Sequence, residues 1–208
     1  MSETRSNLPL VITLWETYGA NMQEVATKLS EELGLKVHKQ AFSSEEIEES
    51  VQSREKQGIV AQMMRGFARA FPSETSDPSP TLAAEERSYS QLAEENTAIV
   101  AQEAAEGGII LGRNGQFLLQ NRPNTLHVKL DGPRQKRIER AAALSGISVE
   151  RAAKRQEIED EFRADMSMRT YRFDPRDNDY YDLVLNGVGL DTDTIVDLIK
   201  RAIQAKAA

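Results

Sequence analysis

Three groups of residues in this sequence have types and spacings that suit the handling of phosphate. The first is Gly107-Gly108-Ile109-Ile110-Leu111-Gly112-Arg113-Asn114-Gly115. An apolar run of strand type ends in a glycine, and an arginine follows at once. This sets a guanidinium at the carboxyl end of a strand, the edge of an open α/β sheet where ligands sit. A planar, permanently charged fork there suits a phosphate. It equally suits a nearby carboxylate or a helix end, and position alone leaves both readings open. The second group is Tyr18-Gly19-Ala20-Asn21-Met22-Gln23-Glu24, between a first strand and a first helix. Backbone N–H groups that converge at a helix N-terminus bind phosphates, and glycines let the backbone come close. Against the pattern G-x-x-x-x-G-K-[ST] the segment fails, with one glycine, no lysine and no Ser/Thr to hold magnesium. It reads as a structural turn, or as a cradle of backbone amides alone.

The third group is Arg155-Gln156-Glu157-Ile158-Glu159-Asp160-Glu161-Phe162-Arg163, followed by Arg169 and Arg172. Arg155 and Arg163 share a helix face, and Arg169 and Arg172 lie about two turns further along. Mobile arginines stabilise charge on a transferring phosphoryl group. The same helix carries Glu157, Glu159, Asp160 and Glu161, so a surface helix laced with ion pairs fits as well. Arg134, Lys136, Arg137 and Arg140 cannot all face one way, which predicts that most are solvated. His127, inside a strand, reads as a hydrogen-bonded core residue. Asp182 and Asn186 bracket a strand and have the chemistry to touch a base or orient an arginine.

The elements that position these groups follow from periodicity. Residues 8–14, with Val11 and Ile12, read as a buried strand, and residues 15–19 as the turn after it. Met22, Val25, Ala26, Leu29 and Leu33 form one face of a helix that Gly34 ends. Residues 35–37 are a short second strand, completing a βαβ unit and hence a parallel sheet. A helix is expected over residues 42–71, with a capping box from Ser43 to Glu46. Its stripe of Ile59, Val60, Met63, Met64, Phe67 and Phe71 reads as core. Residues 72–81 form a proline-rich linker, and residues 82–106 a long helix. Further strands are expected at 125–130 and 181–186. The intervening helix starts at Pro133 and ends at Gly146. Ser148 caps the next helix and Asp191 the last.

Composition narrows the classes. The chain has 208 residues, 39% hydrophobic and 28% charged, enough for one α/β domain with an insertion. No apolar run approaches the roughly 20 residues of a membrane span, and residues 1–7 lack a signal-peptide core. With no cysteine, disulfides and thiolate chemistry are excluded. His38 and His127 form no spaced metal motif. A net charge of -7 argues against DNA or RNA as a partner. The charge is uneven: residues 129–172 hold 11 Lys/Arg against 8 Asp/Glu, a balance that fits a small anionic ligand.

Together these features resemble the cytidylate kinase-like proteins, within the nucleoside monophosphate kinases. The likeness is best in GGIILGRNGQFLLQNRPNTLHVKLDGPRQKRIERAAALSGIS, in Asp160 with Arg163, and in YYDLVLN before a final helix. VITLWETYGANMQEVATKLSEELG is similar to that family's first strand, loop and helix. Residues 42–98 resemble only a helical substrate-binding insertion. The resemblance implies a three-layer, P-loop kinase-like α/β fold with a parallel five-stranded sheet, a helical insertion and a helical lid. It implies one domain over 1–208, with core 8–37 and 107–205, insertion 42–98 and lid-like segment 148–172.

The function so implied is transfer of the γ-phosphate of ATP, with Mg2+, to a nucleoside monophosphate, CMP first. Gly19, Ala20, Asn21, Met22, Gln23 and Glu24 would cradle the donor phosphates. Arg113 with Asn114 would hold the acceptor phosphate, and Arg163 with Arg169 would reach the transferring group. The family's lid pattern R-D-x-x-D-x-x-R corresponds to Gln156-Glu157, then Asp160 and Arg163. Its first arginine is replaced, with Arg155 next door. Asn186 and Gly187 would lie by the donor base. No resident metal ligand set, nucleic acid or membrane is implied; the expected state is a monomer or homodimer in the cytoplasm. The family's G-S-G-G loop reads Gly19-Ala20-Asn21-Met22 here, and the third strand carries no acidic residue for magnesium. These departures motivate a second reading, a catalytically reduced pseudokinase that acts as a nucleotide sensor or protein-interaction module. A structural subunit without nucleotide is a third.

Overall fold

The computed structural model describes residues 7–39 and 82–206. The helix expected over 42–71 and the linker over 72–81 lie outside the described residues. In chain order the elements are β1 (Val11–Glu16), α1 (Met22–Leu33), β2 (Val37–His38), α2 (Leu82–Glu106), β3 (Gly108–Leu111), α3 (Gly115–Leu118), β4 (Thr125–Asp131), α4 (Arg134–Ser145), α5 (Val149–Tyr171), a 3-10 turn (Asn178–Tyr180), β5 (Leu183–Asn186) and α6 (Thr192–Lys206). The strands form one sheet in the order β2-β3-β1-β4-β5, with every pairing parallel. β1, first in sequence, lies at the centre, so the loops after β1, β3 and β4 open side by side at one edge.

The two faces of the sheet differ in chemistry. On one, Ile12 and Leu14 of β1 pack with Ile109, Leu126 and Val128 against Val25 and Leu29 of α1 and Ile195 and Ile199 of α6. Each such side chain contributes about 1.5–3 kcal/mol by leaving water. The other face is apolar only near its start, where Val11 and Ile110 meet Val100 and Ala104 of α2. Further along it turns polar: β1 and β4 pair Thr13 with His127 and Trp15 with Lys129. Thr17, just beyond β1, donates its hydroxyl to Asp131 Oδ1 at 2.7 Å.

The pairing explains where β1 departs from the expected bounds. The strand runs on through Trp15 and Glu16 rather than turning there, because β4 continues beside it, with Lys129 opposite Trp15 and Leu130 opposite Glu16. β5 starts at Leu183, two residues after the expected position, since residues 178–180 form the 3-10 turn. Pro133 is the cap of α4 rather than its first residue. Gly34 and Gly146 end α1 and α4 in the left-handed conformation, and the Ser148 hydroxyl accepts the Arg151 N–H to start α5. Asp191 likewise accepts the Thr194 N–H at the start of α6, at 2.8 Å.

Candidate functional site

The loop between β1 and α1 is packed on its own chain. Gly19 has φ +80, and a Cβ built there would stand 2.4 Å from the Arg137 carbonyl oxygen. Its glycine is therefore required by contact with α4. On the other side, a Cβ on Gly187 would stand 1.9 Å from the Ala20 oxygen, so the turn after β5 also presses on this loop. Ala20 and Asn21 are buried. Asn21 adopts φ 81 as the cap of α1, donates to Thr192 Oγ1 at 3.1 Å and accepts from Arg140 at 2.5 Å.

The amides of this loop meet carboxylates from the same chain. The Met22 N–H donates to Glu16 Oε2 at 3.0 Å, and the Tyr18 N–H donates to Asp160 Oδ1 at 2.7 Å. Asp160 Oδ2 accepts from Gln156 Nε2 at 2.7 Å and from Arg137 at 3.4 Å. Arg137 also donates to the Tyr18 carbonyl at 2.8 Å and to the Gly132 carbonyl at 2.9 Å. Arg163 donates to the Glu16 carbonyl at 3.1 Å and to Glu159 Oε2 at 2.8 Å. Desolvation holds the Glu16 carboxyl above its usual range, opposed by Arg163.

One expectation is corrected here. α5 is not a solvated helix, because Arg155, Gln156, Glu159, Phe162 and Ser167 are buried on it. As expected, the basic group on α4 does not face one way: Arg134 and Lys136 are exposed, Arg134 pairing with Glu157 at 2.6 Å, while Arg137 is buried and works as a strut beneath the loop.

The turn after β3 contains three successive left-handed residues: Gly112 at φ 64, Arg113 at φ 53 and Asn114 at φ 56. Such a conformation costs an arginine on the order of 1–2 kcal/mol. The turn is held from several sides. Asn96 Nδ2 donates to the Arg113 carbonyl at 2.9 Å, and Ser167 Oγ donates to Asn114 Oδ1 at 2.8 Å. Arg113 Nε donates to the Lys39 carbonyl at 3.1 Å and lies 3.6 Å from Glu103 Oε1. Glu103 sits 4.0 Å from His38 Nδ1, and burial raises its carboxyl above the ordinary range.

β4 supplies the rest of the floor. The Thr13 hydroxyl and His127 Nδ1 are 2.8 Å apart, and burial pushes the imidazole down to about 4. Lys129 is buried beside the rings of Trp15 and Tyr181, with Nζ donating to the Arg176 carbonyl at 2.8 Å and to Asn178 Oδ1 at 2.9 Å. Desolvation lowers its basicity. Asp182 accepts the His127 N–H at 2.8 Å and pairs with Lys206.

The structure thus brings Gly19, Ala20, Asn21 and Met22 together with Asp160 and Arg163, and places Gly187 against the same loop, while Asn186 ends β5 beside Asp131. Gln23 and Glu24 are exposed on α1, and Glu24 pairs with Arg140 at 2.9 Å. Arg113 and Asn114 line the neighbouring turn and reach α5 through Ser167. Arg155 is buried within α5. Arg169 stands apart, half exposed, bound to Asp165 at 2.8 Å and over the Tyr89 ring. Two residues were missed as site members. Arg137 had a signal in its place in the first turn after β4. Glu16 had one in being the acid that ends an apolar strand. Among the described residues, no group of three or more His, Asp or Glu is arranged to hold a metal ion, and no helix is long and apolar enough to cross a membrane.

Known proteins agree with this architecture. The sequence model of the cytidylate kinase-like family matches residues 11–187. A uronate isomerase of Corynebacterium glutamicum is 34% identical over 125 residues, 60% of this chain but 24% of that protein. The matched stretch spans about a quarter of that curated relative. Among solved structures, an uncharacterized protein from Eubacterium ventriosum superposes with TM-score 0.58 at 18% identity, covering 94% of this chain and 98% of that one. A deoxyadenosine kinase from M. mycoides, with dCMP and dCDP bound, superposes with TM-score 0.51 at 13% identity, covering 94% and 100%. At these identities the likeness is one of fold.

Proposed function

The chain belongs to the cytidylate kinase-like family, and from that premise we propose that it is a catalytically reduced member that binds a nucleoside monophosphate and acts as a sensor. The observation that carries this reading is the occupied loop. The amides of Tyr18 and Met22, which in a donor site would meet phosphate oxygens, donate to Asp160 and Glu16. The residues present do not fit a magnesium-bound triphosphate. The loop has no lysine and no Ser or Thr, and the hydroxyl of the adjacent Thr17 is spent on Asp131. Two carboxylates where phosphates would sit repel them, and like charges in close contact disfavour each other strongly.

The acceptor side is better provided. Arg113 is held in a left-handed turn, and backbone strain of this kind gathers at ligand sites. Its guanidinium lies close to Glu103, whose carboxyl burial raises. An incoming phosphate would take over that guanidinium with a bidentate, charge-assisted pair. CMP is the first ligand to try, because the family is cytidylate kinase-like. Binding of CMP that Arg113→Ala weakens at least tenfold, with no ADP release from ATP at high protein concentration, is the expected result. Efficient ADP release would overturn the reading.

A second reading keeps phosphoryl transfer, and one observation favours it. Arg137, Arg140 and Arg163 all contact the β1–α1 loop or its flanks and supply positive charge that the loop lacks. Under this reading the acceptor need not be a nucleotide. The relative named uronate isomerase makes a sugar acid a second acceptor class to include in the ADP-release assay.

A further inference from the structure

We propose that Asp160 is an internal occupant of the β1–α1 loop, a carboxylate carried on α5 that a phosphate-bearing ligand has to displace. The proposal rests on the reading above, that this loop is a donor-type site no longer kept open, and it names what closes it.

The donors around Asp160 are those a phosphate oxygen would use. One oxygen accepts the Tyr18 amide at 2.7 Å; the other accepts Gln156 Nε2 at 2.7 Å and Arg137 at 3.4 Å. A loop amide, a guanidinium and a neutral N–H form an anion-binding set. Here the anion comes from the chain itself. The second carboxylate in contact with the loop, Glu16, belongs to β1, whose backbone the sheet fixes. Asp160 sits on α5, outside the sheet. α5 packs on α4 through Ile138, Ala142 and Ala152, ties to the turn after β3 through Ser167 and to α2 through Tyr171, and reaches the loop through Asp160 and Arg163. Swinging the Asp160 side chain away, with α5 still docked, would free the Tyr18 amide and one arm of Arg137 while the sheet stays intact. The contact is therefore competitive. Asp160 and a phosphate share the same donors, and each unit of ligand bound releases one carboxylate to water.

The test compares wild type with Asp160→Ala and Asp160→Asn, using inorganic tripolyphosphate as the probe in calorimetric titrations. Hydrogen exchange of the Tyr18 amide is followed in parallel. Asp160→Ala is expected to bind tripolyphosphate at least tenfold more tightly than wild type. Its Tyr18 amide should exchange faster when free and recover protection when the probe binds. Asp160→Asn should fall between, since its amide oxygen still accepts from Tyr18 but carries no charge. Equal or weaker binding by Asp160→Ala overturns the proposal, as does tighter binding that leaves the Tyr18 amide unprotected. If the alanine variant fails to fold, unchanged affinity in Asp160→Asn overturns it. ADP release by wild type would sink the reading of a reduced kinase without touching this affinity ratio, so the two failures are separable.

Discussion

Removal of Arg137 should be the most damaging single change at the candidate site. Its side chain is 7% exposed, and it donates to two carbonyls, Gly132 at 2.9 Å and Tyr18 at 2.8 Å. It also stands 3.4 Å from Asp160 and 3.7 Å from Asp131. Arg137→Ala leaves the carbonyls without their donor and Asp160 without its cation. Breaking a buried pair by deleting one partner costs about 3–5 kcal/mol. Asp131 is more than a third exposed, so its share is small. The hydrogen bonds belong to the same network and cannot be added separately, which leaves a total of about 3–5 kcal/mol. For a chain of this size that lowers Tm by roughly 6–20 °C. Urea unfolding is the assay, with the slope unchanged and the midpoint reduced. Arg137→Lys should recover less than half, because an ammonium cannot span both carbonyls. A double-mutant cycle with Asp160→Asn should give a coupling above about 1 kcal/mol. A loss under about 1 kcal/mol for Arg137→Ala would refute the reasoning and show that the loop holds its shape without this strut.

Three other outcomes are expected. His127 is pushed down to about 4 by burial, so between that value and its ordinary 6.5 the unfolded chain holds a proton that the native chain does not. Stability should therefore fall as pH drops through this window, by at most about 3 kcal/mol, and His127→Gln should flatten the dependence of the urea midpoint on pH. Gly187→Ala sets a methyl against the Ala20 carbonyl and should cost at least about 1–3 kcal/mol in thermal unfolding; a neutral result would mean the two turns do not touch. Arg113→Gly should be more stable than Arg113→Ala by about 1 kcal/mol, since only glycine accepts φ 53 without strain. Equal midpoints for the two variants would show that the left-handed turn is not kept.

Apolar spacing and glycine punctuation made much of the fold legible. The face of Met22, Val25, Ala26 and Leu29, closed by Gly34, defines α1, and the charged but regular stretch from Leu82 to Glu106 defines α2. Both signals are local, arising from side chains within a turn of one another. The candidate site was harder because its charges owe their burial to distant partners. Arg137 is fixed by a carbonyl 119 positions away and Asp160 by an amide 142 positions away. A helical reading of residues 149–171 sees charges and sends them to solvent; nothing local reveals that Glu159 and Arg155 face inward. Glu16 was hidden for a related reason. An acid after an apolar run reads as the start of a turn, and only the parallel neighbour Leu130 shows that the strand continues. The poverty of the loop in glycine and lysine was visible at once, and it gains a physical meaning from the carboxylates found against its amides.

The measurement that bears most directly on this account is calorimetric titration of the wild-type chain with magnesium-ATP and, separately, with CMP at the same protein concentration. The occupied loop predicts saturable heat with CMP and none with magnesium-ATP. Saturable binding of magnesium-ATP at micromolar concentration would contradict it.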